Sequence, residues 1–527
     1  MPCGTMQPSE AALNQSVQPS SVPDEPAGKS HWLVLALLAI GAVAVRFLCL
    51  GCKPFWFDEC YSTELALIDW RNFLHLIWWR EANMSLYYLL LRVWVHFGHS
   101  PSFIRSLSAI LAAATLPAIY WLARLLYNRR VALLAAALFT FNAYDVRYAQ
   151  EARSYALFVL LATLSSAFLV AWLRKPDQQL WRGYVLCSIL AVYAHFYALL
   201  LIAAHWLAIR YVHPLIANAL DESTRQKQLR RAWIFIAIAV LPLLIFVAKT
   251  GAGPIKWIRR PHLLDILALY QHLAGGISWF LLAIFAAACA WAAFPSGKKL
   301  WSRHQDWDVW RTQFLLLWLL FPVLLTVMLS FARPVFLARY MIFCLPAFVI
   351  LAAAGLARLP QAWLLGSVWA AILLFCLQGV TFVYSRDFDD ERDASGLATN
   401  FILDHTQPGD AILLHIASTR VPYEFSRSQR AGTNTASPAF HSQLGPEIVF
   451  PYHGPGLDYR DFTGKPTAEL ARNIAQTHPR VWVMLMDNGA PGKPDPTTSM
   501  LTDLLPQPLP RLRIWQFARV EVRLYSK

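Results

Sequence analysis

Residues Trp32 to Leu50 read WLVLALLAIGAVAVRFLCL, an apolar run interrupted by one charge, Arg46. At 1.5 Å per residue, a helix through this run crosses about 30 Å of hydrocarbon, the thickness of a bilayer core. A similar run spans Trp363 to Tyr384. The composition extends the pattern to the whole chain. Its 527 residues are 57% hydrophobic and 15% charged, with mean hydropathy +0.40, whereas charged residues approach about a quarter of a soluble protein. A polytopic α-helical membrane protein is expected, and a disordered protein, a disulfide scaffold and a soluble multidomain enzyme are excluded. The 46 Lys and Arg against 32 Asp and Glu give a net charge of +14. In a membrane protein that excess sets orientation and meets anionic headgroups, so membrane lipids are expected partners and nucleic acid is not. The eight cysteines are scattered, and Cys187, Cys289, Cys344 and Cys376 sit inside apolar runs as small hydrophobes.

Residues 1–30 are rich in Pro, Ser, Gln and Ala and lack the basic start of a cleaved signal peptide, which predicts a disordered cytoplasmic tail before a retained first span. Basic clusters then separate the apolar runs: Arg124, Arg129 and Arg130; Arg174, Lys175 and Arg182; Arg210, Arg225, Lys227, Arg230 and Arg231; Lys298, Lys299, Arg303 and Arg311. The positive-inside rule assigns all of them to the cytoplasm. An even number of crossings between successive clusters then gives about 11 transmembrane helices in a domain over 31–385, with the N-terminus inside. The paired crossings run outward from Val131 and back over Ala152 to Leu173, out from Tyr184 and back to Ile209, and over Trp233 to Ala248 and Ile277 to Phe294. Two more, Thr312 to Phe331 and Ala338 to Leu356, precede the last. The loop carrying Lys249, Lys256, Arg259 and Arg260 would lie outside, against the charge rule.

Ser85 to Phe97 is short for a span. Its Tyr87, Tyr88, Trp94 and His96 suit a helix lying in the outer interface, which makes 51–102 one external loop of amphipathic helices. Beyond Arg386 the composition becomes that of a water-exposed domain. A small C-terminal extracytoplasmic α/β domain is expected over 386–527, with Ala394 to His405 helical, Ala411 to Ile416 and Arg480 to Met486 as strands, and strand-like alternation over Arg513 to Tyr525.

Three groups of residues could carry chemistry. Asp58 and Glu59 stand adjacent in Phe55-Trp56-Phe57-Asp58-Glu59-Cys60-Tyr61-Ser62, just after the first span. Carboxylates among aromatics at a membrane surface are costly to desolvate, and burial moves at least one toward a general base. The competing reading is an acidic pair in an aqueous loop. A second cluster, Asp145, Arg147, Tyr148, Gln150, Glu151, Arg153 and Tyr155, fills an outer turn that needs polar residues in any case. The third is Arg333, Pro334, Arg339 and Tyr340 at the outer ends of two spans, where arginine either snorkels to headgroups or forks a lipid phosphate. Arg46 is ambivalent in the same way. His195, between Tyr193 and Tyr197, marks another outer turn as either a packing residue or a ligand. Cys52 and Cys60 flank the acid pair, so a disulfide between them competes with two interface hydrophobes.

A first span ending in Arg46, followed by Trp56-Phe57-Asp58-Glu59 and then Ser85-Leu86-Tyr87-Tyr88-Leu89-Leu90-Leu91, resembles the membrane glycosyltransferases of the GT-C fold. The nearest resemblance is to glycosyltransferase family 39, which includes protein O-mannosyltransferases and the aminoarabinose transferase of lipid A. Ile104-Arg105-Ser106-Leu107-Ser108-Ala109, Gln150-Glu151-Ala152-Arg153-Ser154-Tyr155-Ala156-Leu157 and Ala338-Arg339-Tyr340 running to Leu345-Pro346 follow in the family's order over most of the membrane part. The resemblance implies transfer of a sugar from a polyprenyl-phosphate donor to a lipid, glycan or protein acceptor on the extracytoplasmic face, normally with inversion, in a plasma membrane such as the bacterial inner membrane. Asp58 matches the catalytic acid and would deprotonate the acceptor, with Glu59 orienting it or binding the sugar. Glu151 falls near the second acidic position, although Glu-Ala-Arg replaces the Asp of the O-mannosyltransferases. Asn83-Met84-Ser85 replaces the Pro that usually precedes the apolar helix.

Substrate-binding candidates on this reading are Arg153, Tyr155, His195, Lys256, Arg259, Arg333, Arg339 and Tyr340, the cations stabilising the phosphate that leaves. No cofactor is assigned, and a divalent metal ion through Asp58 and Glu151 is compatible with the family, whose members differ on this, with no ligand spacing in the sequence that decides it. Two other classes stay open. A transporter would place its ionisable residues near mid-membrane with pseudo-symmetric halves, whereas here the acids cluster at the outer surface. A non-catalytic glycan-binding membrane protein would use the C-terminal domain and need no acid pair.

Overall fold

The computed structural model describes residues 28–210, 222–250, 258–297, 307–386, 392–432, 444–451, 464–486, 489–490 and 493–527. The tail to residue 27, Lys256 and the cluster Lys298, Lys299 and Arg303 lie outside the described residues. The first span is α1 (Lys29–Phe47), and the segment 51–102 that follows folds into α2 (Phe57–Leu67), α3 (Trp70–Trp79) and α4 (Ser85–Trp94). Helix α4 is amphipathic, but Tyr87 and Tyr88, expected at the headgroup level, are buried with Leu91 against the neighbouring helices, while Leu89, Leu90 and Val93 are exposed. Next come α5 (Pro101–Leu126), α6 (Arg129–Thr140), the short α7 (Ala143–Ala149), α8 (Tyr155–Arg174), α9 (Gln178–Ala194) and α10 (Ala198–Arg210). Ser100, whose side chain accepts from Phe103 N, and Pro101 at the first helical position start α5 cleanly. The membrane part closes with α11 (Glu222–Thr250), α12 (Leu263–Leu273), α13 (Trp279–Gly297), α14 (Trp307–Ala332), a 3₁₀ segment Ala338–Cys344 leading into α15 (Leu345–Leu356), and α16 (Ala362–Ser385).

Among the described residues seven segments are long and apolar enough to cross a membrane: α1, α5, α8, α11, α14, Ala338–Leu356 and α16. The count of 11 is therefore not reached by length and composition. The other four expected crossings are the shorter helices α6, α9, α10 and α13. For α6, α9 and α10, part of the apolar run is spent on a break. Asn142 ends the run after α6 because its side chain accepts from Asp145 N and starts α7, and His195 is extended between α9 and α10. Helices α8 and α15 run through the middle of the bundle, with α8 packed along α5 and α9.

The C-terminal part is a five-stranded mixed sheet of order β2-β1-β3-β5-β4, from β1 (Ala411–Leu414), β2 (Glu447–Phe450), β3 (Arg480–Met486), β4 (Arg511–Phe517) and β5 (Val520–Ser526). Strand β1 pairs in parallel with β2 and β3, and β5 pairs antiparallel with β3 and β4. Alternation sorts the faces. Val481, Val483 and Leu485 join Ala411 and Leu413 under α19 (Ala468–Thr477) and α20 (Pro496–Leu504). Trp482 and Met484 join Ile412 and Leu414 against α17 (Ser395–His405) and α18 (Arg420–Ala431). The expected strand over Arg513 to Tyr525 is instead a hairpin, turning at Arg519 with φ +59°. Helix α18 packs on α2, and Phe425 stacks on Phe55 with centroids 5.0 Å apart.

Candidate active site

Helix α2 starts at Phe57 and carries Asp58 and Glu59 in its first turn, where the helix dipole favours acids. The two carboxylates have opposite fates. Glu59 is fully buried and accepts from Arg105 twice, at 2.7 Å (Nε to Oε1) and 2.6 Å (Nη2 to Oε2), and from Ala152 N at 3.0 Å. Arg105 spends its remaining donors on the carbonyls of Leu50, Lys53 and Pro54. Glu59 therefore ties α2, α5 and the turn before α8 together, and its oxygens are taken.

Asp58 is 18% exposed, and its Oδ2 lies 3.6 Å from Arg153 Nη2 and 3.9 Å from Arg339 Nη2. Those distances are within ion-pair range but too long for hydrogen bonds. The oxygen itself is buried and accepts no hydrogen bond. Arg153 is held by Ser62 Oγ and the Tyr88 hydroxyl, both at 3.3 Å, and Tyr88 donates to Glu81 Oε2 at 3.4 Å. Desolvation pushes Glu81 up to about 7, against the pull of Arg153. The Arg339 guanidinium lies over the rings of Trp56 and Tyr340, 5.8 and 5.9 Å from their centroids.

His195 is a fully buried ring among aromatics, 5.0 Å from Phe158, 4.7 Å from Tyr340 and 6.4 Å from Tyr155. Desolvation, aided by Arg153 and Arg339, pushes it down to about 3, so the imidazole is neutral. It packs Tyr340 and Tyr155 rather than carrying charge.

Arg153, Tyr155, His195, Arg339 and Tyr340 thus gather with Asp58, whereas other candidates lie elsewhere. Glu151 is buried and pairs with Arg392 of the C-terminal part (Nη2 to Oε1 2.8 Å, Nε to Oε1 3.2 Å), with Arg147 at 3.8 Å. Arg259 pairs with Asp265 at the surface, and Arg333 is exposed at the end of α14. Arg46 neither snorkels nor reaches a phosphate site. It is fully buried, pairs with Asp145 at 2.7 and 3.0 Å, and donates to the carbonyls of Ala42, Phe139 and Thr140. Nor is Cys52 bridged to Cys60. It pairs with Cys49 in the turn after α1, while Cys60 is buried in α2 as a free thiol. Sequence reasoning did not single out Arg105, Glu81 or Arg392. The one signal available was the position of Arg105 within Ile104-Arg105-Ser106.

The donor set does not fit a divalent ion between Asp58 and Glu151. Each acid already faces two guanidiniums, which would repel a cation, and among the described residues no group of three His, Cys, Asp or Glu side chains could hold a metal.

No protein-family model and no curated protein sequence matches the chain. Solved structures do. ArnT from Cupriavidus metallidurans in the apo state superposes with TM-score 0.58 at 13% identity, covering 94% of this chain and 98% of that one. The same protein bound to undecaprenyl phosphate gives 0.55 at 14% identity with equal coverage. The archaeal oligosaccharyltransferase AglB from Archaeoglobus fulgidus, in complex with an inhibitory peptide and a dolichol-phosphate, gives 0.52 at 10% identity over 93% of this chain and 74% of that one. At these identities the likeness is one of fold, and with the apolar helices it establishes an integral membrane protein of the GT-C fold.

Proposed function

We propose that the chain is a membrane glycosyltransferase that moves a sugar from a polyprenyl-phosphate donor to a lipid, glycan or protein acceptor, with Asp58 as general base. The observation that carries the reading is a single oxygen. Asp58 Oδ2 is enclosed, unbonded by any donor, and beside two guanidiniums. A base needs a free lone pair, and a departing phosphate needs cations, and this site has both within one cluster. Asp58 takes the proton of the acceptor hydroxyl, whose oxygen attacks the anomeric carbon from the face opposite the phosphate. The bond from that carbon to the phosphate oxygen breaks, its electron pair leaves with the polyprenyl phosphate, and the sugar is transferred with inversion.

Arg339 is the phosphate ligand in this reading, and Tyr340, held by His195, packs on the sugar or headgroup. Arg153 organises Asp58, and Tyr155 completes the wall. Arg259, Arg333 and Lys256 serve donor approach at the headgroup level. Support for the donor class comes from the lipid phosphates held by the ArnT and AglB structures of like fold. The acid site and the domain after Arg386 face the extracytoplasmic side of a plasma membrane, such as the bacterial inner membrane, as the basic clusters of the other loops require. Deleting the gene and profiling polyprenyl-linked sugars and surface glycans by mass spectrometry tests the proposal. Accumulation of one lipid-linked sugar with loss of one glycan modification is expected, and unchanged profiles of both refute it.

A further inference from the structure

We infer that the C-terminal domain supplies two positioning residues to the acid site, Asp393 and Arg392, and that without them the first turn of the helix bearing Asp58 and the turn bearing Arg153 are loosened. The inference rests on Asp58 being the base.

Helix α2 lacks a cap of its own. Its N-cap residue is Trp56, whose side chain makes no capping hydrogen bond. Helix α17 has the same deficit, with Ala394 at its N-cap. One buried carboxylate serves both. Asp393 Oδ2 accepts from Phe57 N at 2.9 Å, and its Oδ1 accepts from Ser395 N at 3.1 Å. Phe57 and Ser395 are the first residues of α2 and α17, so Asp393 satisfies an orphan donor at each helix start and sets its charge against both dipoles.

The residue before it works on the other side of the site. Arg392 pairs with Glu151, two residues ahead of Arg153 in the turn that brings Arg153 to Asp58. The segment itself is fixed from the sheet, since Ala394 N donates to Ala518 O at the turn of the β4–β5 hairpin, 2.9 Å away. The stacking of Phe425 of α18 on Phe55, two residues before Phe57, closes the contact. The sheet therefore anchors a two-residue strap, one residue of which holds the helix carrying the acid while the other holds the turn carrying its guanidinium partner. Phe57 immediately precedes Asp58, so a slack first turn moves the carboxylate directly.

The test uses the purified full chain in nanodiscs, with Asp393→Ala, Asp393→Asn and Asp393→Ser. Three readouts are taken: hydrogen exchange of a peptide covering residues 56–62, affinity for undecaprenyl phosphate, and transfer from undecaprenyl-phosphate-linked sugar extracted from host membranes. For Asp393→Ala, exchange at the start of α2 should be faster by about 10-fold or more and kcat lower by roughly 10- to 100-fold, the range for a displaced reacting group. Undecaprenyl phosphate affinity should stay within about twofold, because Arg339 is untouched. The Asn and Ser variants keep an acceptor oxygen for the Phe57 amide and should restore most of the protection and most of kcat. Wild-type exchange in Asp393→Ala, or equal loss of protection in all three variants, overturns the inference. Exchange does not depend on which residue is the base. Faster exchange with undiminished kcat in Asp393→Ala, together with full activity of Asp58→Asn, would reject the base assignment while leaving the cap in place.

Discussion

Replacing Asp58 by Asn separates the acid's chemistry from its place in the fold. The amide is nearly isosteric and sits at an oxygen that accepts no hydrogen bond, so no native bond is broken. Two things change. The proton of the acceptor loses its destination, which for a general base costs about 100- to 10,000-fold in kcat. The negative charge 3.6 and 3.9 Å from Arg153 and Arg339 also disappears. At an effective dielectric near 20, each of those separations corresponds to about 4 kcal/mol of gross attraction, most of it offset by solvation in the real site. Arg339 is then less occupied by its neighbour and freer for phosphate. The expected signature is therefore a collapse of kcat with donor KM unchanged or lowered. Initial rates with the purified variant in nanodiscs measure it, with circular dichroism and thermal unfolding as controls for folding. A variant with near-normal kcat would refute Asp58 as base, and a fall in kcat accompanied by a large rise in donor KM would make the carboxylate a binding group instead. Glu59 could not take over in its present geometry, because Arg105 and Ala152 N occupy it.

Arg339→Ala should weaken undecaprenyl phosphate binding roughly 10- to 100-fold and Arg339→Lys less so, since a point charge replaces the fork; unchanged affinity would show that Arg339 only braces Asp58. Glu59→Gln leaves the Arg105 charge buried and should lower stability by about 3–5 kcal/mol, seen as a fall in the unfolding midpoint, while Glu59→Gln with Arg105→Met should recover part of it; an unmoved midpoint in the single variant would show that the pair is not stabilising. Glu64 of α2 is buried against Glu424 of α18, and desolvation, with Glu424 adding, pushes it up to about 8. An acid whose folded value lies above its unfolded one takes up a proton on folding, so its contribution is fully present below about 4.5 and is lost as pH rises through about 8. Glu64→Gln should flatten the decline of the unfolding midpoint across that window, and an identical pH profile would refute the assignment.

The parts of this fold legible in sequence were those written in periodicity. The apolar runs, the amphipathic helix at Ser85 and the strands at Ala411 and Arg480 all announce themselves locally. Span counting was less secure because length is not conserved between a hydrophobic run and its helix. The run containing Val131 yields only the 12 residues of α6 before Asn142 starts a new helix. At the site, Asp58, Arg153, Arg339 and Tyr340 could be singled out because each stands beside aromatics at the end of an apolar run. The partners could not. Glu151 meets Arg392 across 241 residues and Glu59 meets Arg105 across 46, and neither separation leaves a trace in spacing. Cys52 shows the same limit in miniature, since Cys49 and Cys60 both lie within reach along the chain and only the packing of α2 decides between them.

Buried charge is what distinguishes scaffold from site in this protein. Arg46 with Asp145, Arg105 with Glu59 and Arg392 with Glu151 meet at 2.7, 2.6 and 2.8 Å. Arg46 and Arg105 also have further donors on backbone carbonyls. In each pair the guanidinium meets its acid at hydrogen-bond distance, and removing one member strands the other. Asp58 is built differently. It stands between two guanidiniums at distances that attract without bonding, and its inner oxygen is left open. Glu151 Oε2 and Glu64 Oε1 are likewise buried without a hydrogen bond, but it is Asp58 whose open oxygen lies within ion-pair range of both Arg153 and Arg339. The looseness has a use if an acceptor hydroxyl and a phosphate are to enter between those groups. The three pairs then hold the frame, α1 to the turn at Asp145, α2 to α5, and the C-terminal strap to Glu151, against which the Asp58 carboxylate is aimed.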